Sequence, residues 1–108
     1  IMFTSLYEGL SIALLEALSV GTPAMSTDVG DTKLILDKFE NGLVFPKIGD
    51  INGYFSGFEH FLANKDFFKR NAEKNKEKIA SLFSPGNIAS QYAMCFENAA
   101  VTVNSELV

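Results

Sequence analysis

Ser11-Ile12-Ala13-Leu14-Leu15-Glu16-Ala17-Leu18-Ser19-Val20-Gly21-Thr22-Pro23-Ala24-Met25-Ser26-Thr27 is the stretch on which the fold turns. Its first ten residues hold no Gly or Pro and are apolar nearly all round, at Ile12, Ala13, Leu14, Leu15, Ala17 and Leu18. That pattern predicts a helix from Ser11 to Val20 that is buried on most sides. Gly21 stands where a helix ends in a left-handed residue. Pro23 to Thr27 then fits a short strand. Upstream, Ile1 to Ser5 reads as the end of a strand, so the chain is expected to start inside a domain, and Leu6 to Leu10 reads as a loop. Downstream, Asp28-Val29-Gly30-Asp31 is a loop and Thr32 to Leu36 makes one or two helical turns. Asn41-Gly42 is a turn signal into the strand Leu43-Val44-Phe45, which Pro46 is expected to end. Strands alternating with helices predict an α/β fold with a parallel sheet.

Beyond residue 49 the character changes. Most of the glycines lie before that point, and three amphipathic helices follow it. The first carries Ile51, Tyr54, Phe55, Phe58, Phe61 and Leu62 at helical spacing. The second carries Phe68, Ala72, Asn75, Ile79 and Leu82, and the third Ile88, Tyr92, Cys95 and Phe96. Ser84-Pro85 supplies the third with a cap and a first-turn proline. The sequence therefore divides into residues 1–49, a sheet-forming part, and residues 50–108, a helical part of the same domain.

Composition narrows the function. The 108 residues carry a net charge of −4, which gives no electrostatic reason to expect nucleic acid as a partner. Hydrophobic residues make up 47%, a globular rather than a disordered composition. No apolar run reaches the roughly 18–20 residues of a membrane span. Cys95, the only cysteine, is expected to be a small buried core residue. His60, the only histidine, lies among phenylalanines and reads as a packing or surface residue, and no metal-ligand cluster is visible.

The residues suited to chemistry are Glu8-Gly9-Leu10-Ser11 and Glu16. A Gly-containing loop that runs straight into a helix offers free N–H groups and the positive end of a dipole, a ready phosphate site. Gly9 lets a ligand approach the backbone closely, or merely turns the chain. Glu16 is the single charge in its apolar helix, and burial would demand donors from a ligand or from an Arg or Lys of the core. It lies about 7–8 Å along the axis from Ser11, roughly the offset between a pyrophosphate and the ribose of the same nucleotide. Glu8 precedes the helix, where a carboxylate either faces uncharged sugar hydroxyls or is a solvated loop residue.

In these residues the chain resembles the C-terminal domain of the group-1 (family 4) glycosyltransferases, which have the GT-B fold of two facing Rossmann-like domains. The resemblance is carried by Ser5-Leu6-Tyr7-Glu8-Gly9-Leu10-Ser11, the pair Glu8 and Glu16 with seven residues between them, and Gly21-Thr22-Pro23. It continues through Thr27-Asp28-Val29-Gly30, Asn41-Gly42-Leu43-Val44-Phe45-Pro46 and Phe83-Ser84, across residues 1 to about 98. It implies a partial Rossmann-like sheet followed by C-terminal helices, with residues 1–49 as the donor-site part. It further implies that Glu16 holds the ribose hydroxyls of the donor and that the amides of Gly9, Leu10 and Ser11 cradle its pyrophosphate. Glu8 would be the catalytic carboxylate beside the transferred sugar. Such enzymes move a sugar, with retention, from a nucleotide-diphosphate sugar to a glycan or glycolipid acceptor, and need neither metal nor other cofactor.

The family's usual setting is cytoplasmic, peripheral to the inner face of a membrane, in polysaccharide assembly. The fragment alone is expected to be inactive, since one side of a two-domain cleft cannot set donor against acceptor. The sequence departs from the family at Asp31, where a second Gly is frequent, at Leu34, where Glu is frequent, and at Phe39. The basic residues that usually grip the diphosphate are not in this stretch. Two other readings stand beside the first: a non-catalytic module that binds a nucleotide or a protein, and another enzyme on this fold such as a nucleotide-sugar epimerase.

Overall fold

The structure, a computed structural model, describes residues 1–45 and 48–107, with side chains through residue 101. Strand β1 (Met2–Phe3) leads to helix α1 (Ile12–Ser19), strand β2 (Ala24–Thr27), helix α2 (Thr32–Phe39) and strand β3 (Gly42–Phe45). Helices α3 (Ile51–Ala63), α4 (Lys65–Leu82) and α5 (Pro85–Leu107) follow. The three strands form one parallel sheet in the order β1-β2-β3. The chain is thus α/β, a partial Rossmann-like sheet followed by helices. Pro46, expected to end β3, lies outside the described residues.

Local signals explain the boundaries. After α1, the Thr22 N–H bonds to the Ala17 carbonyl at 2.9 Å and the Gly21 N–H to the Leu18 carbonyl at 3.1 Å, with Gly21 at φ +81°. This is the paired closure that a left-handed glycine allows after a helix. Helix α2 runs to Phe39, three residues past the expected end, and closes differently. Its left-handed residue is Glu40, at φ 49°, and not the Asn41-Gly42 pair in which the turn was expected. The orphan carbonyls there are satisfied from α4: Asn75 Nδ2 donates to the Phe39 oxygen at 3.2 Å and Asn71 Nδ2 to the Glu40 oxygen at 3.0 Å. Asp50 caps α3 through the Gly53 N–H at 3.0 Å, and Ser84 caps α5 through the Asn87 N–H at 3.3 Å.

Register divides the sheet into two faces. Phe3, Ser26 and Val44 are aligned across the strands, as are Met2, Met25 and Leu43. The first row faces α1, α2 and α4, where Leu14, Leu18, Ile35, Leu36, Phe39 and Ile79 are buried together with Ala24. On the other face Gly57 brings α3 down onto β3, since a Cβ there would stand 2.7 Å from the Phe45 ring. Phe45 also packs on Tyr54, ring centroids 4.8 Å apart.

Two burial expectations, for α1 and Cys95, are overturned, and the apolar positions of α3 are open as well. Helix α1 buries only Leu14 and Leu18, because the sheet and α4 cover one side of it, and Ile12, Ala13 and Glu16 are exposed. Helix α3 has no buried residue, and Phe55 and Phe58 are exposed despite their helical spacing. Cys95 is exposed as well, as are Tyr92 and Phe96, in a stretch of α5 whose residues 91–101 are all exposed. The molecule is accordingly elongated, 61 × 30 × 18 Å. No helix among the described residues is long and apolar enough to cross a membrane.

Candidate active site at the start of helix α1

Strand β1 delivers the chain into the loop of residues 4–10, and Ser11 caps α1 in an extended conformation (φ −70°, ψ 116°). Its Oγ accepts the Leu14 N–H at 3.3 Å. The amides of Gly9, Leu10 and Ser11 donate to no acceptor among the described residues. A helix start with unbonded N–H groups, open to solvent, suits an anion. The three amides that the sequence singled out are therefore brought together and left free.

On one side of this helix start lies a pocket of about 560 Å³ lined by Leu6, Tyr7, Glu8, Gly9, Asp28, Val29 and Gly30. Glu8 is exposed there, and Ser5 Oγ donates to its Oε1 at 3.2 Å. A second pocket, of about 550 Å³, runs along α1 where it meets the end of α4, lined by Ile12, Leu15, Glu16, Ser19, Ile79, Ala80, Phe83, Ser84 and Pro85. Glu16 is an exposed wall of this second pocket and not the buried carboxylate expected from its apolar helix. Its side chain has no ion pair among the described residues, so no core Arg or Lys holds it. The reason is geometric: Glu16 lies on the side of α1 turned from Leu14 and Leu18, and the sheet never covers it.

Charge is arranged unevenly. No Lys or Arg lines either pocket. Lys33, in the first turn of α2, donates to Asp37 Oδ2 at 2.5 Å, and this bond with the attached charge holds the ammonium above its ordinary range, with a smaller push from Asp28. From this chain, a bound diphosphate would be met by amides and the helix dipole. Among the described residues no group of three His, Cys, Asp or Glu is placed to hold a metal.

Sequence reasoning missed two residues here. Thr27, fully buried at the end of β2, donates Oγ1 to the Ser5 carbonyl at 2.6 Å. Gly30, at φ +50°, lies against the Gly9 carbonyl, and the Asp31 N–H bonds that same oxygen at 3.0 Å. Both lie in the stretch Thr27-Asp28-Val29-Gly30 that carries the resemblance, but that signal did not say what the loop touches.

Residues 1–81 match the pattern that defines the family described as glycosyl transferases group 1. The chain belongs to this family. The lipopolysaccharide core biosynthesis glycosyltransferase LpsE of Rhizobium meliloti (strain 1021) is 31% identical over 91 residues, covering 84% of this chain and 26% of that protein. The chain spans about a quarter of the length of the curated relative it matches. A sucrose-phosphate synthase from Thermosynechococcus elongatus superposes with a TM-score of 0.71 over 92% of this chain and 25% of that one, at 24% identity. That likeness is one of fold, and it spans more of the chain than the family match does.

Proposed function

We propose that this group 1 glycosyltransferase chain supplies the donor side of an enzyme that transfers a sugar, with retention, from a nucleotide-diphosphate sugar to a glycan or lipid-linked acceptor. The observation that carries the reading is the set of free amides of Gly9, Leu10 and Ser11, with Glu8 lining one nearby pocket and Glu16 another. A diphosphate on those amides places the sugar toward Glu8 and the ribose toward Glu16. Both carboxylates then meet hydroxyl donors, and neither meets the phosphates. Departure of the diphosphate leaves charge on its oxygens, which the amides and the α1 dipole are already oriented to receive. Glu8 holds hydroxyls of the sugar while the bond from the anomeric carbon to the diphosphate breaks, the acceptor oxygen bonds to that carbon, and its proton passes to an oxygen of the departing diphosphate.

The reaction needs surfaces that this chain does not carry in either pocket, above all cations for the diphosphate. The isolated 108 residues are therefore inactive in this reading. The whole enzyme works at the cytoplasmic face of a membrane, in glycan assembly. The test is calorimetry on the full-length polypeptide containing this chain, with UDP, GDP and ADP. One diphosphate binds, and Glu16→Gln weakens it by about 1.5–3 kcal/mol, the scale of a hydrogen bond to a charged group. Equal binding by wild type and Glu16→Gln would leave Glu16 with no ligand and remove the ribose assignment.

A further inference from the structure

The loop between β1 and α1 is fastened at both ends by the segment that follows β2. At its start, Thr27 Oγ1 donates to the Ser5 carbonyl at 2.6 Å, and Thr27 is fully buried. At its end, the Asp31 N–H donates to the Gly9 carbonyl at 3.0 Å. Between the two, Gly30 presses its Cα against the loop. A Cβ on Gly30 would stand 1.7 Å from the Gly9 oxygen and 2.5 Å from the Glu8 oxygen, and φ +50° is a backbone conformation that side chains disfavour. The region lined by Glu8, Gly9, Asp28, Val29 and Gly30 is one pocket, so this contact forms a wall of the candidate site.

From this arrangement we propose that Thr27 and Gly30 are positioning residues: a two-point clamp that aims the Glu8 carboxylate and the Leu10 amide separately. The proposal rests on the donor-site reading. Thr27 fixes the Ser5 peptide, and Ser5 in turn holds Glu8 through the 3.2 Å bond to Oε1. This end governs the carboxylate. A trans peptide points its C=O and N–H in opposite directions. Tying the Gly9 oxygen to Asp31 therefore turns the Leu10 N–H away from the 28–31 loop, and that amide is one of the three left without an acceptor. This end governs the diphosphate.

The two ends are separable in the full-length polypeptide, by titration with UDP, GDP and ADP and by slow hydrolysis of the matching nucleotide sugar without acceptor. Thr27→Val keeps the shape and removes the hydroxyl. It lowers kcat of hydrolysis by about 10- to 100-fold, the scale of a 1 Å misplacement at a reacting centre, with the diphosphate Kd held within about threefold, less than one hydrogen bond is worth. Thr27→Ser, which restores the donor, returns kcat to within about threefold of wild type by the same measure. Gly30→Ala weakens the diphosphate about tenfold or more, as loss of one bond to a charged group requires.

Unchanged kcat in Thr27→Val, or no rescue by Thr27→Ser, would overturn the Glu8 end. Exchange of the Asp31 amide reads the other end without any ligand. Faster exchange in Gly30→Ala together with wild-type diphosphate affinity would overturn that end while leaving the donor site intact. Should Gly30→Ala not fold, the Thr27 pair still decides. A wild type that binds none of the three diphosphates would sink the donor-site reading, and the clamp with it.

Discussion

The two faces of the sheet behave differently although the sequence writes them alike. Toward α1, α2 and α4, the rows of Leu, Ile and Phe close into a core in which Leu14, Leu18, Leu36 and Ile79 are all but inaccessible. Toward α3, Met2, Ile51, Tyr54, Phe55 and Phe58 line an open pocket of about 360 Å³, and Met2 and Phe55 are more than half exposed. Helix α5 repeats the second case, with Tyr92 and Phe96 turned to solvent. Periodicity reports that a helix has an apolar side, whereas burial needs a second element to meet it. The largest test of the contrast is a pair of truncations compared by urea unfolding of the chain. Leu18→Ala costs about 2–5 kcal/mol, because a buried side chain leaves both lost transfer energy and a cavity. Phe55→Ala costs within about 0.5 kcal/mol, as for an exposed site with no cap, bond or strain. Comparable losses at both positions would erase the distinction between the faces.

Glycines sharpen the same comparison at the level of the backbone. Gly42 lies where β3 pairs with β2, and a Cβ there would stand 2.1 Å from the Ala24 carbonyl oxygen. Gly42→Ala must part the two strands or shift Leu36, and costs about 1–3 kcal/mol or more. Gly86, in the first turn of α5, would meet nothing within 4 Å. Gly86→Ala stabilises by about 0.4–1 kcal/mol through the unfolded chain and the helix it joins. Thermal melts of the two variants should move in opposite directions. A stabilised Gly42→Ala would mean that β2 and β3 are not held at the register described.

What could be read in advance follows the reach of each signal. Gly21 ends α1, and Ser84-Pro85 opens α5, because caps act over three or four residues and are written in the chain. That Gly9, Leu10 and Ser11 lead into a helix start is local in the same way, whereas their assignment to a pyrophosphate came from the family resemblance. The exposure of Glu16 and Cys95 could not, since it depends on where the sheet ends and on how far α4 reaches. Neither could Thr27 or Gly30. The Thr27 hydroxyl meets a carbonyl 22 residues earlier in the chain, a contact created by the parallel register of β1 and β2. Asn75, placed in the apolar pattern of α4, and Asn71, to which no role was given, close the end of α2 from 36 and 31 residues away.

Two threonines carry the contrast into polar groups. Thr27 and Thr32 are both buried, yet Thr27 Oγ1 is bonded to Ser5 whereas Thr32 Oγ1 has no partner among the described residues. Thr27→Val strands the Ser5 carbonyl and costs about 1–2 kcal/mol, whereas Thr32→Val removes a hydroxyl that already lacks a bond and stays within about 0.5 kcal/mol or gains slightly. Chemical denaturation of both variants with unchanged m-values checks the pair. Equal losses would mean that Thr32 has a bonding role as well.

The smallest effect belongs to the surface pair Lys33 and Asp37, on the solvent side of α2, where both side chains are more than half exposed. Lys precedes acid at this i, i+4 spacing, the weaker of the two orders along a helix dipole. The bond raises the Lys33 ammonium above its ordinary 10.5. A raised lysine contributes stability that is fully present below its unfolded value and fades as pH climbs through the folded one. Wild type and Asp37→Asn should therefore run parallel from pH 6 to 9 and converge only in the alkaline range above 10.5. Salt gives the second check, since a charge pair in open water is screened once the Debye length falls to about 3 Å near 1 M. A difference in melting temperature that survives such salt would not be electrostatic. Asp37 would then be holding something on α2 other than Lys33, and exposure alone would no longer separate the silent residues of this chain from those that stabilise it.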